Sequence, residues 1–229
     1  MADKLDYPET WLEPPRGRVV VIAPHPDDET IGCGGTLALH RRRGDDVHLV
    51  VVTDGDAGDP DGRFPREDYV QRRRGECARA AATLGVAAPV FLGFGDQRVE
   101  AGALHATLGA VVEGLHPEVI YHPGAIEMHV DHHVVGRVVG ELACELSTQP
   151  RTFAYEIWVP VVPTHVIDVS SVWDVKQDAL ACYASQLVYN DYRRATAGLN
   201  AYRAIFLPQA SYVEAFAETT PQGAGRRAQ

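Results

Sequence analysis

The chain has few of the features that mark secreted, membrane or redox proteins. Its 229 residues include only four cysteines, and none of them forms a CxxC pair, which argues against a zinc knuckle or a dithiol redox motif. No run of about 18 apolar residues is present, so a membrane span is not expected. The first residues contain no apolar core of the kind that a secretory signal needs. We therefore expect a cytoplasmic protein with reduced cysteines.

The chain also lacks an excess of basic residues. It has 21 lysines and arginines against 31 aspartates and glutamates, which gives a formal net charge of −10. Binding to nucleic acid needs a concentrated basic surface that can neutralise phosphates. The short arginine clusters at residues 41–43 and 72–74 lie within helical patterns and are typical of solvated helix faces. Nucleic acid is therefore not expected as a partner.

What the chain has instead is a regular alternation of short apolar runs and helical patterns. Continuous apolar runs are typical of strands that are buried on both faces. The predicted strands cover Val19–Ala23, Val47–Thr53 and residues 90–92, 119–121, 152–157 and 166–168. The predicted helices cover Arg66–Leu84 and residues 32–43, 103–115, 131–146, 174–183 and 191–206. This alternation predicts an α/β fold, a Rossmann-like three-layer sandwich with a mainly parallel central sheet.

The length of the chain is typical of one α/β domain, since single domains of roughly 200–250 residues are common. We expect one domain over residues 1–229. Residues 1–17 are rich in proline and predict an N-terminal arm that lies over the domain. Residues 219–229 are small and polar, and they predict a flexible tail.

The most informative segment is the end of the first predicted strand. The run Val19–Ala23 is followed by Pro-His-Pro-Asp-Asp-Glu at residues 24–29 and by Gly-Cys-Gly-Gly at residues 32–35. Ligands bind at the carboxyl ends of the strands in open α/β sheets, and a histidine with carboxylates is a metal-binding combination. The glycines do not match the G-x-G-x-x-G pattern of a dinucleotide loop. Close packing of the next helix on the sheet explains them better.

A second cluster of histidines follows the fourth predicted strand. The sequence His-Val-Asp-His-His starts at His129 and opens a helix, so it also lies at a carboxyl edge of the sheet. Residues three apart on a helix share a face, which allows His129 and His132 to point into one site. A catalytic zinc typically keeps three protein ligands, and His25, Asp28 and His132 meet that number. His133 competes with His132 for the third position.

The acid beside the predicted ligand has a separate role. Neighbouring side chains at a strand end point in different directions. Asp27 is therefore free to act as the general base on a water molecule while Asp28 binds the ion. His129 stands across the site, where a protonated imidazole stabilises the oxyanion of a tetrahedral intermediate. Asp131 is expected to orient the His129 ring and to favour its protonated form.

At these residues the sequence resembles the LmbE-like (PIG-L) family of zinc-dependent N-acetylglucosaminyl deacetylases. The family motif Ala-His-Pro-Asp-Asp-Glu corresponds to residues 23–29, where Pro24 stands in place of the small residue before the histidine. The family motif His-Pro-Asp-His corresponds to residues 129–132, where Val130 replaces proline. Both histidines and the acid of the second motif keep their spacing, and the resemblance spans nearly the whole chain.

The resemblance implies a role for each matched residue. It implies zinc ligands at His25, Asp28 and His132, and catalytic roles for Asp27, His129 and Asp131. It further implies that Arg73 contacts the sugar or its anionic aglycone and that Asp96 hydrogen-bonds to sugar hydroxyls. The expected cofactor is Zn²⁺, with Fe²⁺ or another divalent metal as the alternative in the cell. The expected partner is a small N-acetyl sugar. Whether the chain forms a homo-oligomer is left open.

The expected reaction is the metal-dependent removal of an N-acetyl group from an N-acetylated amino sugar or its conjugate. Two alternatives stay open. A thiol-conjugate amidase of the same family uses the same site on a larger amide. A carbohydrate-binding or regulatory domain that kept its metal is the non-enzymatic alternative, and Asp27 argues against it because a structural zinc site needs no base. Trp158 is compatible both with stacking on a sugar face and with a place in the core.

Overall fold

A central sheet lies between two layers of helices in the computed structural model, which describes residues 7–219 except for the side chains of residues 66 and 67. The strands of this part of the chain are β1 (Glu9–Trp11), β2 (Val19–Ala23), β3 (Val47–Thr53), β4 (Val90–Phe94), β5 (Val119–Pro123), β6 (Arg151–Tyr155), β7 (His165–Asp168) and β8 (Val213–Glu218). Their order across the sheet is β1-β7-β8-β6-β5-β2-β3-β4. Only β8 runs antiparallel to its described neighbours, β6 and β7.

The helices connect these strands in alternation. They are α1 (Asp28–Arg43), α2 (Arg66–Leu84), α3 (Ala101–Leu115), α4 (Val130–Glu145), α5 (Trp173–Ala181), α6 (Ala184–Leu187) and α7 (Tyr192–Arg203), with 3-10 turns at Ser170–Val172 and Ala204–Phe206. The predicted α/β fold with a mainly parallel sheet is confirmed. No helix in the described part of the chain is both long and apolar enough to cross a membrane.

The alternation of side chains along β2 builds two separate cores. Val19, Val21 and Ala23 face one side of the sheet, where they pack in a cluster with side chains of α1, α2 and α5. Val20 and Ile22 face the other side and pack in a cluster with side chains of α3 and α4. Because all five residues are buried, the strand has no polar alternation, which is the pattern of a central parallel strand.

Three elements differ from the sequence prediction. The helix α1 begins at Asp28, four residues before the predicted start, with Asp28 and Glu29 in its first turn, where carboxylates interact favourably with the helix dipole. The strand β8 was missed because its second residue, Glu214, is a buried carboxylate that interrupts the apolar run. Residues 9–11 of the predicted arm form the edge strand β1. Residues 220–229 of the predicted tail lie outside the described part of the chain.

Two glycines let α1 pack directly on the sheet. A Cβ atom at Gly32 would lie 2.2 Å from Cδ2 of Tyr155, and one at Gly35 would lie 2.7 Å from Cβ of Val169. The Tyr155 ring is fixed because its hydroxyl donates a hydrogen bond of 2.8 Å to the Ile22 carbonyl oxygen. The glycines therefore serve close helix–sheet packing, as expected, and they bring the start of α1 to the carboxyl edge of β2.

Substitution of Gly32 by alanine is expected to destabilise the protein. The new methyl group overlaps the buried Tyr155 ring, and overpacking of a core costs about 1–3 kcal/mol. Urea denaturation should show this loss in the free energy of unfolding. The control is Gly140→Ala in α4, where a Cβ meets no other group within 4 Å and where alanine favours the helix. Equal stabilities of the two variants would contradict the packing argument.

Two buried histidines are held in the neutral form. Nδ1 of His40 lies 2.7 Å from a carboxylate oxygen of Asp45, and its Nε2 accepts from the Tyr121 hydroxyl at 3.0 Å. His122 uses Nδ1 with the Pro123 carbonyl oxygen and Nε2 with a threonine hydroxyl, each at 2.8 Å. Burial lowers the pKa of each histidine to about 4, and the hydrogen bonds to Asp45 and Pro123 offset only part of that effect. Both side chains serve the core and lie outside the site described below.

The depressed pKa of His122 predicts that it makes the protein less stable at acid pH. Histidine in the unfolded chain has a pKa of about 6.5. The unfolded chain therefore binds a proton before the folded protein does as the pH falls from 6.5 towards 4. The contribution of neutral His122 to the free energy of unfolding is fully present above pH 6.5 and decreases as the pH falls from 6.5 towards 4. The free energy of unfolding should fall less between pH 7 and pH 5 in His122→Gln than in the wild type, and an identical fall in both would contradict this.

Candidate active site and metal centre

Three predicted ligands meet at the carboxyl edge of the sheet. His25 follows β2, Asp28 begins α1, and His132 lies in the first turn of α4, which follows the neighbouring parallel strand β5. Nδ1 of His25 lies 3.2 Å from Oδ2 of Asp28 and 3.1 Å from Nε2 of His132. The Asp28 and His132 atoms are 3.2 Å apart. All three side chains are buried, so the three atoms form a compact triangle shielded from solvent.

This triangle has the size of one face of a metal coordination tetrahedron. Ligand atoms at about 2.0–2.1 Å from a tetrahedral zinc lie about 3.3 Å from one another. Two imidazole nitrogens and one carboxylate oxygen are also a donor set that zinc and related divalent metals accept. Although burial alone raises the pKa of Asp28, the adjacent His132 and His25 hold it well below its usual range. The three residues therefore fit a divalent cation in both geometry and donor type.

The second ring nitrogen of His25 is held by two carboxylates. Nε2 lies 3.1 Å from Oδ2 of Asp131 and 3.2 Å from Oδ1 of Asp96. The same oxygen of Asp131 accepts the backbone N–H of Gln97 at 2.7 Å. A histidine that binds a metal through one nitrogen commonly donates the other N–H to a carboxylate, which fixes its tautomer and orientation. Asp131 and Asp96 are thus placed to orient His25.

The contacts of His129 differ from the prediction. The Asp131 carboxylate was expected to orient this ring, but it contacts His25. His129 is instead the N-cap of α4, and its Nδ1 accepts the backbone N–H of Asp131 at 3.2 Å. Such an N–H points back towards the cap residue in the first turn of a helix. Because Nδ1 is an acceptor, the proton of a neutral His129 ring is on Nε2.

His129 stands beside both predicted histidine ligands. Its ring centroid lies 4.6 Å from that of His25 and 4.8 Å from that of His132, and the ligand atoms of the three histidines all lie within 4.8 Å of one another. Burial lowers the pKa of His129, and the nearby His25 and His132 lower it further. The structure thus favours a neutral ring, in contrast to the predicted protonated form. A neutral N–H can still stabilise a developing oxyanion.

Asp27 has a strained backbone and a buried carboxylate. Its φ of 131° and ψ of −28° lie in a region that residues other than glycine rarely occupy. Burial raises the pKa of the carboxyl group to about 8. The Arg73 guanidinium opposes this shift, and the neighbouring Asp28 and Glu29 carboxylates add to it. A pKa near neutrality is what a general base at neutral pH requires.

Arg73 holds the strained segment from the opposite side. Its Nη2 donates to Oδ2 of Asp27 at 3.1 Å and to the Pro26 carbonyl oxygen at 2.5 Å, while Nη1 donates to the Gly55 carbonyl oxygen at 3.2 Å. The side chain is buried. The predicted sugar contact of Arg73 stays a prediction, as does that of Asp96, whose oxygens face His25 and the backbone N–H of Ala57. The structure adds a role for Arg73 in holding Asp27.

The structure adds three residues to the site to which the sequence analysis gave no definite role. Tyr183 donates a short hydrogen bond to the buried Glu29, whose other oxygen accepts the Asp27 backbone N–H at 3.2 Å. Glu127 lies beneath His132, with Oε2 3.6 Å from Nδ1. Trp158 is 54% exposed, so its open position is that of the site rim and not of the core. Trp158 had been considered for stacking on a sugar, whereas Glu127 lies only two residues before the second motif and was not considered.

The chain is similar in sequence to known proteins. The PIG-L family model, described as GlcNAc-PI de-N-acetylase, matches residues 20–143. A probable N-acetyl-alpha-D-glucosaminyl L-malate deacetylase 2 of Bacillus anthracis is 30% identical over 183 residues, which cover 73% of this chain and 80% of that protein. A 4-oxalmesaconate hydratase of Pseudomonas putida is 25% identical over 197 residues, which cover 76% of each chain.

The fold is also that of a solved deacetylase. The structure of N,N'-diacetylchitobiose deacetylase from Pyrococcus horikoshii superposes with a TM-score of 0.81 at 21% sequence identity, and the match covers 89% of this chain and 84% of that one. At this identity the likeness establishes the architecture, a mainly parallel sheet between layers of helices.

Removal of the Arg73 guanidinium group is expected to destabilise the protein strongly. Arg73→Met leaves the Asp27 carboxylate and two carbonyl oxygens buried without their donor, and breaking a buried ion pair in this way costs about 3–5 kcal/mol. The matched control is Arg74→Met, which removes a partly exposed pair with Asp54 and should cost no more than about 1 kcal/mol. Urea denaturation compares the two. Similar stabilities would show that Arg73 does not hold the segment.

Proposed function

The chain belongs to the PIG-L family, and we propose that it is a zinc-dependent N-deacetylase that hydrolyses the N-acetyl group of an amino sugar or its conjugate. The observation that carries the proposal is the buried triangle of His25, Asp28 and His132 next to Asp27. This arrangement combines three ligands with a separate carboxylate of raised pKa. A closed structural metal site has no need of such a base.

His25, Asp28 and His132 would hold the metal through one nitrogen, one oxygen and one nitrogen. A divalent ion bound there supplies a Lewis acid that polarises the amide carbonyl and lowers the pKa of water. Zinc accepts this donor set, and Fe²⁺ is the alternative ion in the cell. Asp131 and Asp96 support the assignment because they fix the His25 ring from behind.

Asp27 acts as the general base. It accepts a proton from the water molecule whose oxygen attacks the amide carbon, and its raised pKa suits it to do so near neutral pH. The Arg73 guanidinium keeps the carboxylate in place while it accepts the proton. When the C–N bond breaks, the amine nitrogen takes up a proton from Asp27, and the products are acetate and the free amino sugar.

His129 stabilises the negative charge that develops on the carbonyl oxygen. Its Nδ1 is occupied by the Asp131 backbone N–H, so Nε2–H is the donor that remains for the substrate. A preorganised donor of this kind contributes on the order of 10²–10³ in rate. The ring is held at the helix cap and requires no reorganisation during the reaction.

The protein is proposed to work in the cytoplasm. All four cysteines, Cys33, Cys77, Cys144 and Cys182, are free thiols in the structure, which is the usual state in a reducing compartment. The proposed substrate is a small N-acetyl sugar, with Arg73 and Asp96 as the proposed sugar contacts.

Acetate release from a panel of N-acetylated amino sugars tests the proposal, with metal content measured on the same samples. We expect acetate and free amine from at least one member. Asp27→Asn should keep its metal and lose about 10²-fold or more of the turnover, whereas His25→Ala should lose the metal as well. Asp61→Asn, in the exposed part of the loop after β3, is the control and should behave like the wild type.

Other outcomes would point to the alternatives. Cleavage of a larger amide without acetate release would favour a thiol-conjugate amidase. Hydration of an unsaturated acid without amide cleavage would favour the reaction named for the Pseudomonas relative. Metal binding with no turnover on any amide would favour a carbohydrate-binding or regulatory domain.

A further inference from the structure

The carboxylate of Glu127 lies between a predicted metal ligand and a segment of the site rim. Glu127 is in the loop between β5 and α4, and only 8% of its surface is exposed. Its Oε1 accepts the backbone N–H groups of Ile157 and Val159, each at 3.4 Å. Its Oε2 faces Nδ1 of His132 at 3.6 Å. One side chain thus contacts two functional parts of the site.

The two atoms that face each other lack hydrogen-bond partners among the described residues. Both Oε2 of Glu127 and Nδ1 of His132 are buried and unbonded. Leaving a buried polar atom unpaired costs about 1–3 kcal/mol, so a conformation that joins the pair is favourable. A separation of 3.6 Å is slightly too long for a hydrogen bond. A small movement of either side chain is enough to form it.

A metal bound at Nε2 of His132 would fix the ring proton on Nδ1, opposite Glu127. A His132 ring that ligates through Nε2 carries its proton on Nδ1, and that N–H needs an acceptor. His25, the other histidine ligand, already has Asp131 and Asp96 in this position. Among the described residues, Glu127 is the carboxylate within 4 Å of Nδ1 of His132. Glu127 therefore faces the second ring nitrogen of His132, as Asp131 faces that of His25.

The other oxygen of Glu127 holds the segment that carries Trp158. Ile157 and Val159 flank this residue, whose ring centroid lies 5.5 Å from that of His129 and 5.9 Å from that of His132. Glu156, which precedes this segment, accepts a short hydrogen bond from Arg203 and a hydrogen bond of 2.9 Å from the backbone N–H of Val161, which follows it. The Trp158 segment is thus anchored on both sides, and the anchor on the site side is Glu127.

We propose that Glu127 is a positioning residue that couples metal binding at His132 to the placement of Trp158 at the rim of the site. The inference rests on the proposed function, because it requires His132 to be a metal ligand. With a metal on Nε2, His132 would donate Nδ1–H to Glu127, and the same carboxylate holds the two N–H groups that flank Trp158. The aromatic surface beside His129 is therefore set in place when the metal site is filled.

The zinc affinity of the protein tests the first half of the proposal. We expect Glu127→Ala to bind zinc 10–100-fold more weakly than the wild type, which is the usual effect of losing the carboxylate behind a histidine ligand. Glu127→Gln should give an intermediate value, because its amide keeps one acceptor oxygen for two sets of donors. The matched control is Glu76→Gln, a buried glutamate whose partner is Ser185, and its zinc affinity should be unchanged. Competition with a chromogenic chelator gives the dissociation constants.

Tryptophan fluorescence tests the second half. Zinc should change the emission of the wild type, and the loss of this change in Trp158→Phe assigns it to Trp158. The change should also be lost in Glu127→Ala at zinc concentrations that saturate the variant. Wild-type zinc affinity in both Glu127 variants, or a zinc response of Trp158 that persists without Glu127, would overturn the proposal. Lower stability of the variants with unchanged zinc affinity would also overturn it, since Glu127 would then only stabilise the loop.

The outcome is separable from that of the proposed function. If the wild type binds no zinc and releases no acetate, the proposed function fails. If the wild type binds zinc and the Glu127 variants bind it equally well, only the coupling fails. Should Glu127→Ala not fold, as judged by circular dichroism, Glu127→Gln carries the same test.

Discussion

The close approach of Asp28 to the imidazoles of His25 and His132 is the contact on which the rest of the site depends. Three polar atoms within 3.2 Å of one another are buried at the end of a hydrophobic strand. Burial of charge without compensation is costly, and a divalent cation bound to the three atoms would provide that compensation. The fold brings these atoms together because β2 and β5 are parallel neighbours whose carboxyl ends meet at one edge. The other residues of the site either hold this triangle or work beside it.

Buried polar contacts outside the triangle fix the elements that carry it. Glu214 of β8 accepts the backbone N–H groups of Gly35 and Thr36, both at 2.8 Å, and it pairs with the fully buried Lys176 at 2.6 Å. This network anchors α1 to the sheet from behind. Arg73 anchors the segment in front of α1 by holding Asp27 in its strained conformation. Asp28, the first residue of α1, is therefore held from both directions, and its neighbours have little freedom to move.

The sequence predicted the regular part of this structure well. The continuous apolar runs of β2 and β3 and the helical periodicity of α2 could be read directly, because each follows one burial pattern along its whole length. The meeting of His25, Asp28 and His132 was also predictable in outline, since two motifs at strand ends imply a shared edge. The strand β8 was not predictable in the same way. Its buried Glu214 pairs with Lys176 of α5. The local sequence pattern gives no information about a partner so far away in the chain.

The details of the site depended on directions that spacing does not encode. Asp131 follows His129 by two residues, yet its carboxylate points to His25 and only its backbone N–H reaches His129. Arg73 was predicted only as a sugar contact, and the fold adds a hydrogen bond from its guanidinium to Asp27. Glu127 and Tyr183 gained roles only when the chain brought them under His132 and Glu29. Residue types and strand ends thus predict which chemistry is present, while the fold decides which atom faces which.

The most direct test of the account is a crystal structure of the zinc-loaded protein. The account predicts a single ion in the triangle, with Nδ1 of His25, Oδ2 of Asp28 and Nε2 of His132 each at about 2.0–2.2 Å from it, and with Asp27 and His129 not bound to the ion. An ion held by His129 in place of Asp28, or an ion at another site with the triangle unchanged, would contradict it.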